Sequence, residues 1–345
     1  MNLYEESIRI IKKNQTETGA YVASPSFSQY GFCWLRDSSF IAEAMAEAGE
    51  YESAGRYFRW VENVLVKNKE AISRTLQKDR SDITLQDFLP TRYTLTGERN
   101  NDNWENAQSD GYGTYLWALG KFVEKTDYKI NREMVELVCR YLEKVWKHPC
   151  YDAWEEEKDA LHTSTLISIA AGLKAGAKML DRETAWKEIK WFIEEECVTE
   201  GRLRKSTLNS GVDSSLIWGV CPYKLWEVQT PLVRNTISKI EEDLFFEGGL
   251  KRYCEDSYFG GGSWILLSAS LALYYQETGQ EEKVGLIERW IESQADAEMN
   301  LPEQVSEHLL FDDYYEEWLN KWGKIANPLL WSHANYIKLR PYGSN

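Results

Sequence analysis

Carboxylates set beside tryptophan are the first residues in this chain whose types and spacing suggest chemistry. Asp152-Ala153-Trp154-Glu155-Glu156-Glu157 places four carboxylates within six residues, just ahead of a helix that opens near Leu161. Like charges this close repel one another, and a carboxyl partly buried beside Trp154 would hold its proton more tightly. That is what a general acid needs near neutral pH. The same run equally fits an acidic helix N-terminus favoured by the helix dipole. A second carboxylate, Glu303, stands in Leu301-Pro302-Glu303-Gln304. Pro302 biases its neighbour toward extended backbone, so Glu303 is expected to project from a loop; an ordinary exposed loop glutamate is the plainer alternative.

Three further segments could grip a substrate. Tyr30-Gly31-Phe32-Cys33-Trp34-Leu35-Arg36-Asp37 alternates aromatics and ends in an Arg–Asp pair. Such a pair can bridge adjacent sugar hydroxyls, the carboxylate accepting and the guanidinium donating, or it can be a structural ion pair with Asp37 capping the next helix. Trp104 to Gly111, with Gln108 and Asp110, closes a loop that runs into a helix. Arg252-Tyr253-Cys254-Glu255-Asp256-Ser257-Tyr258 leads to Gly260-Gly261-Gly262-Ser263-Trp264. The triple glycine lacks the lysine and hydroxyl residue of a phosphate loop. The four histidines, His148, His162, His308 and His333, show no metal-ligand spacing, and neither a metal nor another cofactor is expected.

The elements that must position these residues read as helices. Apolar residues recur at helical spacing through residues 3–13, 38–48, 52–67, 110–124, 132–146, 161–179, 183–196, 213–219, 231–244, 263–277, 282–296 and 328–338. Two short extended pieces are expected at Arg92–Leu95 and Gly249–Tyr253. Between the helices lie six long loops, 18–37, 76–109, 147–160, 197–213, 249–262 and 297–327, rich in aromatic and acidic residues. Long loops alternating with helix pairs predict an all-α fold, an (α/α)6 barrel, whose loops gather at one end to build the site. No Pro/Ser/Gly-rich linker divides the chain, so residues 1–345 are expected to form one domain.

Composition narrows the partners. With 40 Lys and Arg against 55 Asp and Glu, the net charge is −15, which repels nucleic acid and anionic membranes. Aromatic residues make up 13% of the chain, including 15 Trp and 20 Tyr, which suits either a Trp-rich core or a cleft that stacks on sugar rings. The amphipathic N-terminus lacks the apolar run of a secretory signal, and the six scattered cysteines form no C-x-x-C pair. A cytoplasmic location is expected. The oligomeric state is not readable.

Taken in order, the segments resemble glycoside hydrolase family 15, which contains glucoamylases, glucodextranases and related trehalases. Tyr30, Phe32, Trp34, Arg36 and Asp37 match its Y-x-Y/F-x-W-x-R-D segment. Trp104, Gln108, Asp110 and Gly111 match W-x-x-x-Q-x-D-G. Asp152, Trp154, Glu155 and Glu156 match the D-x-W-E-E segment that carries the family's general acid. Arg252, Tyr253, Asp256, Tyr258 and Trp264 match R-Y-x-x-D-x-Y…W. Glu303, Gln304, Pro328, Leu329, Trp331, Ser332 and Ala334 match the segment that carries its general base. Val212–Leu216 resembles a helix start of prokaryotic members. The matches span residues 30 to 334.

The resemblance implies an (α/α)6 barrel in which Glu155 is proton donor and Glu303 is base. It implies that Arg36, Asp37 and Arg252 hold the non-reducing-end glucose, with Glu156 and Trp104 nearby. Tyr30, Trp34, Asp110, Trp154, Tyr258, Trp264 and Trp331 complete the expected substrate contacts. The expected activity is inverting and exo-acting, releasing β-glucose from soluble α-1,4- or α-1,6-linked gluco-oligosaccharides. An inverting pair stands about 6.5–9.5 Å apart, against about 5–5.5 Å for a retaining pair. As the sequence starts almost at the first barrel helix, neither the usual prokaryotic β-sandwich ahead of the barrel nor a starch-binding module is expected, and soluble substrates are the expectation. A trehalase-like hydrolase, a disaccharide phosphorylase and a sugar-binding protein on a decayed hydrolase scaffold are the alternatives.

Overall fold

The computed structural model of the protein describes residues 2–100, Trp104 and residues 107–340. Twelve α-helices lie among them: α1 (Leu3–Lys13), α2 (Leu35–Glu47), α3 (Tyr51–Gln77), α4 (Asp110–Lys125), α5 (Arg132–Val145), α6 (Thr163–Leu180), α7 (Trp186–Glu196), α8 (Pro231–Leu244), α9 (Ile265–Glu277), α10 (Glu281–Ser293), α11 (Asp312–Trp322) and α12 (Leu330–Leu339). Helix α2 packs on α4, α4 on α6, α6 on the 3-10 segment Ser214–Gly219, that segment on α9, α9 on α12, and α12 back on α2. The ring therefore closes with six inner members. Helices α1, α3, α5, α7, α8 and α10 each pack against the outside of it. This is the (α/α)6 barrel.

Side-chain chemistry sorts the two layers. Inner helices are apolar or small-residue on nearly every face, as in Ile265-Leu266-Leu267-Ser268-Ala269-Ser270-Leu271-Ala272 of α9, all of it buried. A helix that is hydrophobic all round belongs inside. The outer α5 instead buries one stripe, including Met134, Val135, Val138, Cys139 and Leu142. Helices α4 and α6 approach closest of all. A Cβ on Gly113 would stand 2.3 Å from the Ser168 carbonyl oxygen, and one on Gly172 would stand 2.3 Å from that of Gly113. Aromatic rings fill the barrel axis: Phe40 stacks on Trp331 at 4.9 Å and also meets Trp117, Trp218 and Tyr223.

Four expectations are corrected. The segment 213–219 takes its place in the inner ring as a 3-10 helix, capped by Asp213, which accepts from Ser215 N. Helix α3 runs on to Gln77, well past the expected end at 67 and up to the start of the second long loop. Helix α11 lies within what reads as loop 297–327, because none of its residues is buried. The extended pieces are shorter than expected. Arg92–Tyr93 pairs with Cys33–Trp34, and a four-stranded antiparallel sheet joins Phe245–Phe246, Gly249–Leu250, Ser263–Trp264 and Gln304–Val305. Both pairings tie site loops together. Among the described residues no helix is long and apolar enough to cross a membrane.

Candidate active site

One cavity of about 290 Å³ opens among these loops, and both Glu155 and Glu303 line it. Glu155 owes its position to a tight turn. The Asp152 side chain accepts from Trp154 N at 3.2 Å and Glu156 N at 2.9 Å, while Glu155 N donates to the Asp152 carbonyl at 3.0 Å. The turn holds Glu155 at φ +68°, a left-handed conformation that costs a non-glycine residue on the order of 1–3 kcal/mol. Its carboxyl accepts from the indole of Trp34 at 2.6 Å and from that of Trp104, and Arg36 Nη2 lies 3.6 Å away. Burial raises its pKa, with Arg36, Trp104 and Trp34 opposing.

Of the two causes expected from sequence, burial and repulsion among the carboxylates, burial is the one that acts. The indole N–H of Trp154 donates to Asp213 Oδ2 at 2.9 Å and leaves Glu155 alone. Glu156 and Glu157 border a second cavity with Tyr151 and Lys158, which Glu155 also reaches. Loss of water around Glu155, and not repulsion within the acidic run, is what favours its proton. Behind the turn, buried Lys205 sits 4.0 Å from both Asp152 Oδ2 and Asp213 Oδ2, with its ammonium 3.3 Å over the Tyr253 ring. It offsets the charge that the turn and the 3-10 cap bring into the interior.

Glu303 is held by backbone on both sides. Its N–H donates to the Ala326 carbonyl at 2.9 Å, its carbonyl accepts from Ile265 N at 3.3 Å, and Gln304 pairs with Trp264 in the sheet. The residue is 3% exposed. Tyr30 Oη donates to Oε1 at 3.0 Å and Tyr258 Oη to Oε2 at 3.3 Å, and the two phenols lie 2.6 Å apart. Burial pushes the Glu303 carboxyl up to about 8 against these donors and Arg252. Among the described residues no hydrogen bond joins Glu155 to Glu303.

The cavity floor comes from the start of α2. Arg36 pairs with Asp37 at 3.3 Å and Asp110 at 3.1 Å, and donates to Gln108 at 3.0 Å. Asp37 Oδ1 and Arg36 Nε meet each other as that ion pair without hydrogen-bond geometry, and the indole nitrogens of Trp264 and Trp331 are buried with no hydrogen-bond partner. Unmet buried polar atoms are costly, and polar atoms gathered in a cavity are what sugar hydroxyls would satisfy. Burial pushes Asp37 up to about 7, with Arg36 opposing. Asp37 does not act as the helix cap, since Trp34 occupies that position. Opposite, Arg252 donates to Asp256 at 2.8 Å and Glu156 at 2.7 Å, with Trp154, Tyr258 and Trp264 rings about it at 5.2, 5.0 and 5.1 Å.

Of the fourteen residues that sequence singled out, Asp110 and Glu156 do not line the cavity. Asp110 stands behind Arg36, and Glu156 behind Arg252. The other twelve, Tyr30, Trp34, Arg36, Asp37, Trp104, Trp154, Glu155, Arg252, Tyr258, Trp264, Glu303 and Trp331, share it. Sequence reading missed Phe27, Trp318 and Trp322 on the lining, and Lys205 behind it. Trp318 and Trp322 lie four residues apart, a spacing that puts them on one helix face; that was the available signal. Seven of the 15 tryptophans line the cavity, while Trp60, Trp117, Trp146 and Trp218 are core, so the aromatic surplus serves both ends. Among the described residues no group of three or more His, Cys, Asp or Glu is arranged to hold a metal ion.

Residues 2–305 match the family model described as Glycosyl hydrolases family 15. An isomaltose glucohydrolase from Kribbella flavida is 37% identical to this chain, over 98% of the chain and 91% of that relative. Trehalase 1 from Sulfolobus acidocaldarius is 26% identical over 74% of the chain, and the match spans 48% of that enzyme. Among solved structures, a glycosidase variant in complex with glucose superposes with a TM-score of 0.92 at 36% identity, covering 98% of this chain and 95% of that one. A bacterial glucoamylase complexed with acarbose gives a TM-score of 0.76 at 18% identity, covering 98% of this chain and 54% of that one, a likeness of fold alone.

Proposed function

The chain belongs to the glycosyl hydrolases family 15 and is a glycoside hydrolase, and from that premise we propose that it cleaves glucose from the non-reducing ends of short, soluble α-linked gluco-oligosaccharides with inversion. Isomaltose is the first candidate, because the 37% identical relative is an isomaltose glucohydrolase. The observation that carries the reading is that two buried carboxyls from different loops, each with its own donors, line one aromatic cavity.

In the proposed reaction the terminal glucose lies on the Trp331 and Trp264 faces, its hydroxyls taken by Asp37 and Arg36. Glu155 gives its proton to the glycosidic oxygen. The carboxylate so formed is the species that the Trp34 and Trp104 indoles and Arg36 stabilise, and such donors aimed at developing charge are worth most in a dry site. Glu303 removes a proton from a water on the opposite ring face, and the water oxygen bonds to the anomeric carbon as the glycosidic bond breaks. Tyr30 and Tyr258 keep both Glu303 oxygens directed. Behind the terminal unit Arg36 is buried and Phe40 stacks on the back of Trp331, packing that supports exo action.

α-Glucosyl fluoride separates the two roles, since fluoride leaves without a proton. Turnover of the fluoride should survive in Glu155→Gln and fail in Glu303→Gln; the reverse pattern would exchange the assignments. Proton NMR should show β-glucose first, and α-glucose first would refute inversion. A panel of isomaltose, maltose and trehalose tests the linkage. Trehalose as best substrate would favour the second reading, supported by the trehalase relatives. Dependence of product formation on phosphate would favour a phosphorylase.

A further inference from the structure

Helix α11 buries none of its residues, so packing of an apolar stripe into the core does not explain why it folds where it does. Its inward contacts are with the cavity and with the turn Tyr258–Gly260, where Phe259 meets Tyr315 at 4.9 Å and Trp318 at 5.9 Å. Trp318 and Trp322, one turn apart, both line the cavity. The Trp318 ring meets Tyr258 edge-on at 4.5 Å and lies nearly parallel to Phe27 at 6.1 Å, and Trp322 meets Phe27 at 6.4 Å. The Trp318 indole nitrogen is shielded from water and has no hydrogen-bond partner, an unmet donor beside the site. The segment is anchored on both sides of the helix, at Gly260 before it and after it at Ala326, whose carbonyl accepts from Glu303 N at 2.9 Å. Leu310 N and Phe311 N both donate to the Gly260 carbonyl, at 2.9 and 3.0 Å. At the other end Gly323 takes φ +75° with nothing within 4 Å of where a Cβ would stand.

We propose that α11 is the length-selecting element of this enzyme: Trp318 and Trp322 close the cavity around a disaccharide, and chains of three or more glucose units are poorer substrates because they must displace the two rings. The proposal rests on the hydrolase reading above and names its substrate class. Volume points the same way, since about 290 Å³ falls at the lower end of the roughly 300–1,000 Å³ usual for small-molecule sites. Trp318, beside the tyrosine that holds Glu303, would contact the bound sugar and give its N–H to a hydroxyl. Trp322, 41% exposed, stands at the outer edge, where a third unit would pass.

The test is kcat/KM for the two-, three- and four-unit members of the oligosaccharide series whose linkage the enzyme cuts. Wild type, Trp318→Ala, Trp322→Ala and Glu303→Gln are compared. Wild type should lose efficiency with each added unit. Both tryptophan variants should narrow the disaccharide-to-tetrasaccharide ratio by roughly tenfold, the size of one stacked aromatic contact, and Trp318→Ala should also raise KM for the disaccharide. Because neither tryptophan is itself buried, both variants should melt within about 2 °C of wild type. An unchanged length profile in both variants, or a wild type that cuts the tetrasaccharide as readily as the disaccharide, would overturn the role of α11 while leaving the hydrolase reading intact. Full turnover by Glu303→Gln would instead overturn the reading on which it rests.

Discussion

The two carboxyls of the cavity sit in walls built from different chemistry. Glu155 rides on a turn in left-handed backbone and is gripped by indole N–H groups and a guanidinium, all of which only donate. Glu303 is fixed by regular backbone bonds next to a sheet and faces two phenols, which can donate or accept. Donor-only partners favour the charged form, so in the proposed reaction the Glu155 wall would stabilise the carboxylate left once its proton has gone. Phenols can turn to suit either form, so the Glu303 wall would tolerate the proton that the proposed base gains in each cycle. Burial raises both groups, and the partners decide what each does with that rise.

The largest test of this contrast is removal of either carboxyl. Glu155→Gln and Glu303→Gln should each lower kcat on the best disaccharide of the isomaltose, maltose and trehalose panel by about 10²–10⁴-fold, measured as glucose release, with the fold kept by circular dichroism. Removing one partner from each wall sharpens the contrast. Trp104→Phe and Tyr258→Phe each delete a hydrogen bond to a charged group, worth about 1.5–3 kcal/mol, so kcat/KM should fall by roughly ten- to a hundredfold in each. The two should separate in their pH profiles. Losing the Trp104 donor leaves Glu155 harder to ionise, which moves the alkaline limb up. Losing the Tyr258 donor does the same to Glu303 and moves the acidic limb up. If both variants move the same limb, the division of labour is wrong.

A smaller effect concerns wild-type activity across pH. The base works only when ionised, and its folded value is about 8 against an ordinary 4.5. The kcat/KM profile should therefore rise with pH through neutrality, and a plateau already reached at pH 5 would contradict the burial of Glu303. The smallest effect is on stability. A carboxyl raised on folding keeps a proton that the unfolded chain has lost, so its contribution is full below pH 4.5 and is lost as pH rises through about 8. Glutamine has no proton to lose. Glu303→Gln should match wild type in melting temperature near pH 4.5 and exceed it by a few degrees above pH 8; the opposite trend would mean that Glu303 is ionised at little cost in the folded protein.

Much of the barrel was readable from residues alone. Segments such as 265–272, apolar or small on every face, can only be inner helices, and the outer helices show their single stripe. The site was readable where an aromatic or carboxylate stands in a compact motif, as with Trp34, Arg36 and Asp37. It was not readable where a residue serves the site from outside a motif. Lys205 is one lysine among many until folding buries it between Asp152 and Asp213. Helix α11 turns its tryptophans toward a cavity and none of its residues into the core, so the rule that reads helices from buried periodicity passes over it.

The sequence by itself determined that this chain makes paired helices, that long aromatic loops join them, and that Glu155 and Glu303 stand in segments suited to acid and base work. Those properties are local, set by side-chain type and spacing within a few residues. Only the tertiary structure decided that the inner ring closes through a 3-10 segment, that Asp110 and Glu156 stand behind the arginines instead of on the cavity, and that indoles serve one carboxyl while phenols serve the other. Each of these depends on groups distant in the chain being brought to hydrogen-bond range and stripped of water. Burial and pairing of that kind exist only once the ring has closed.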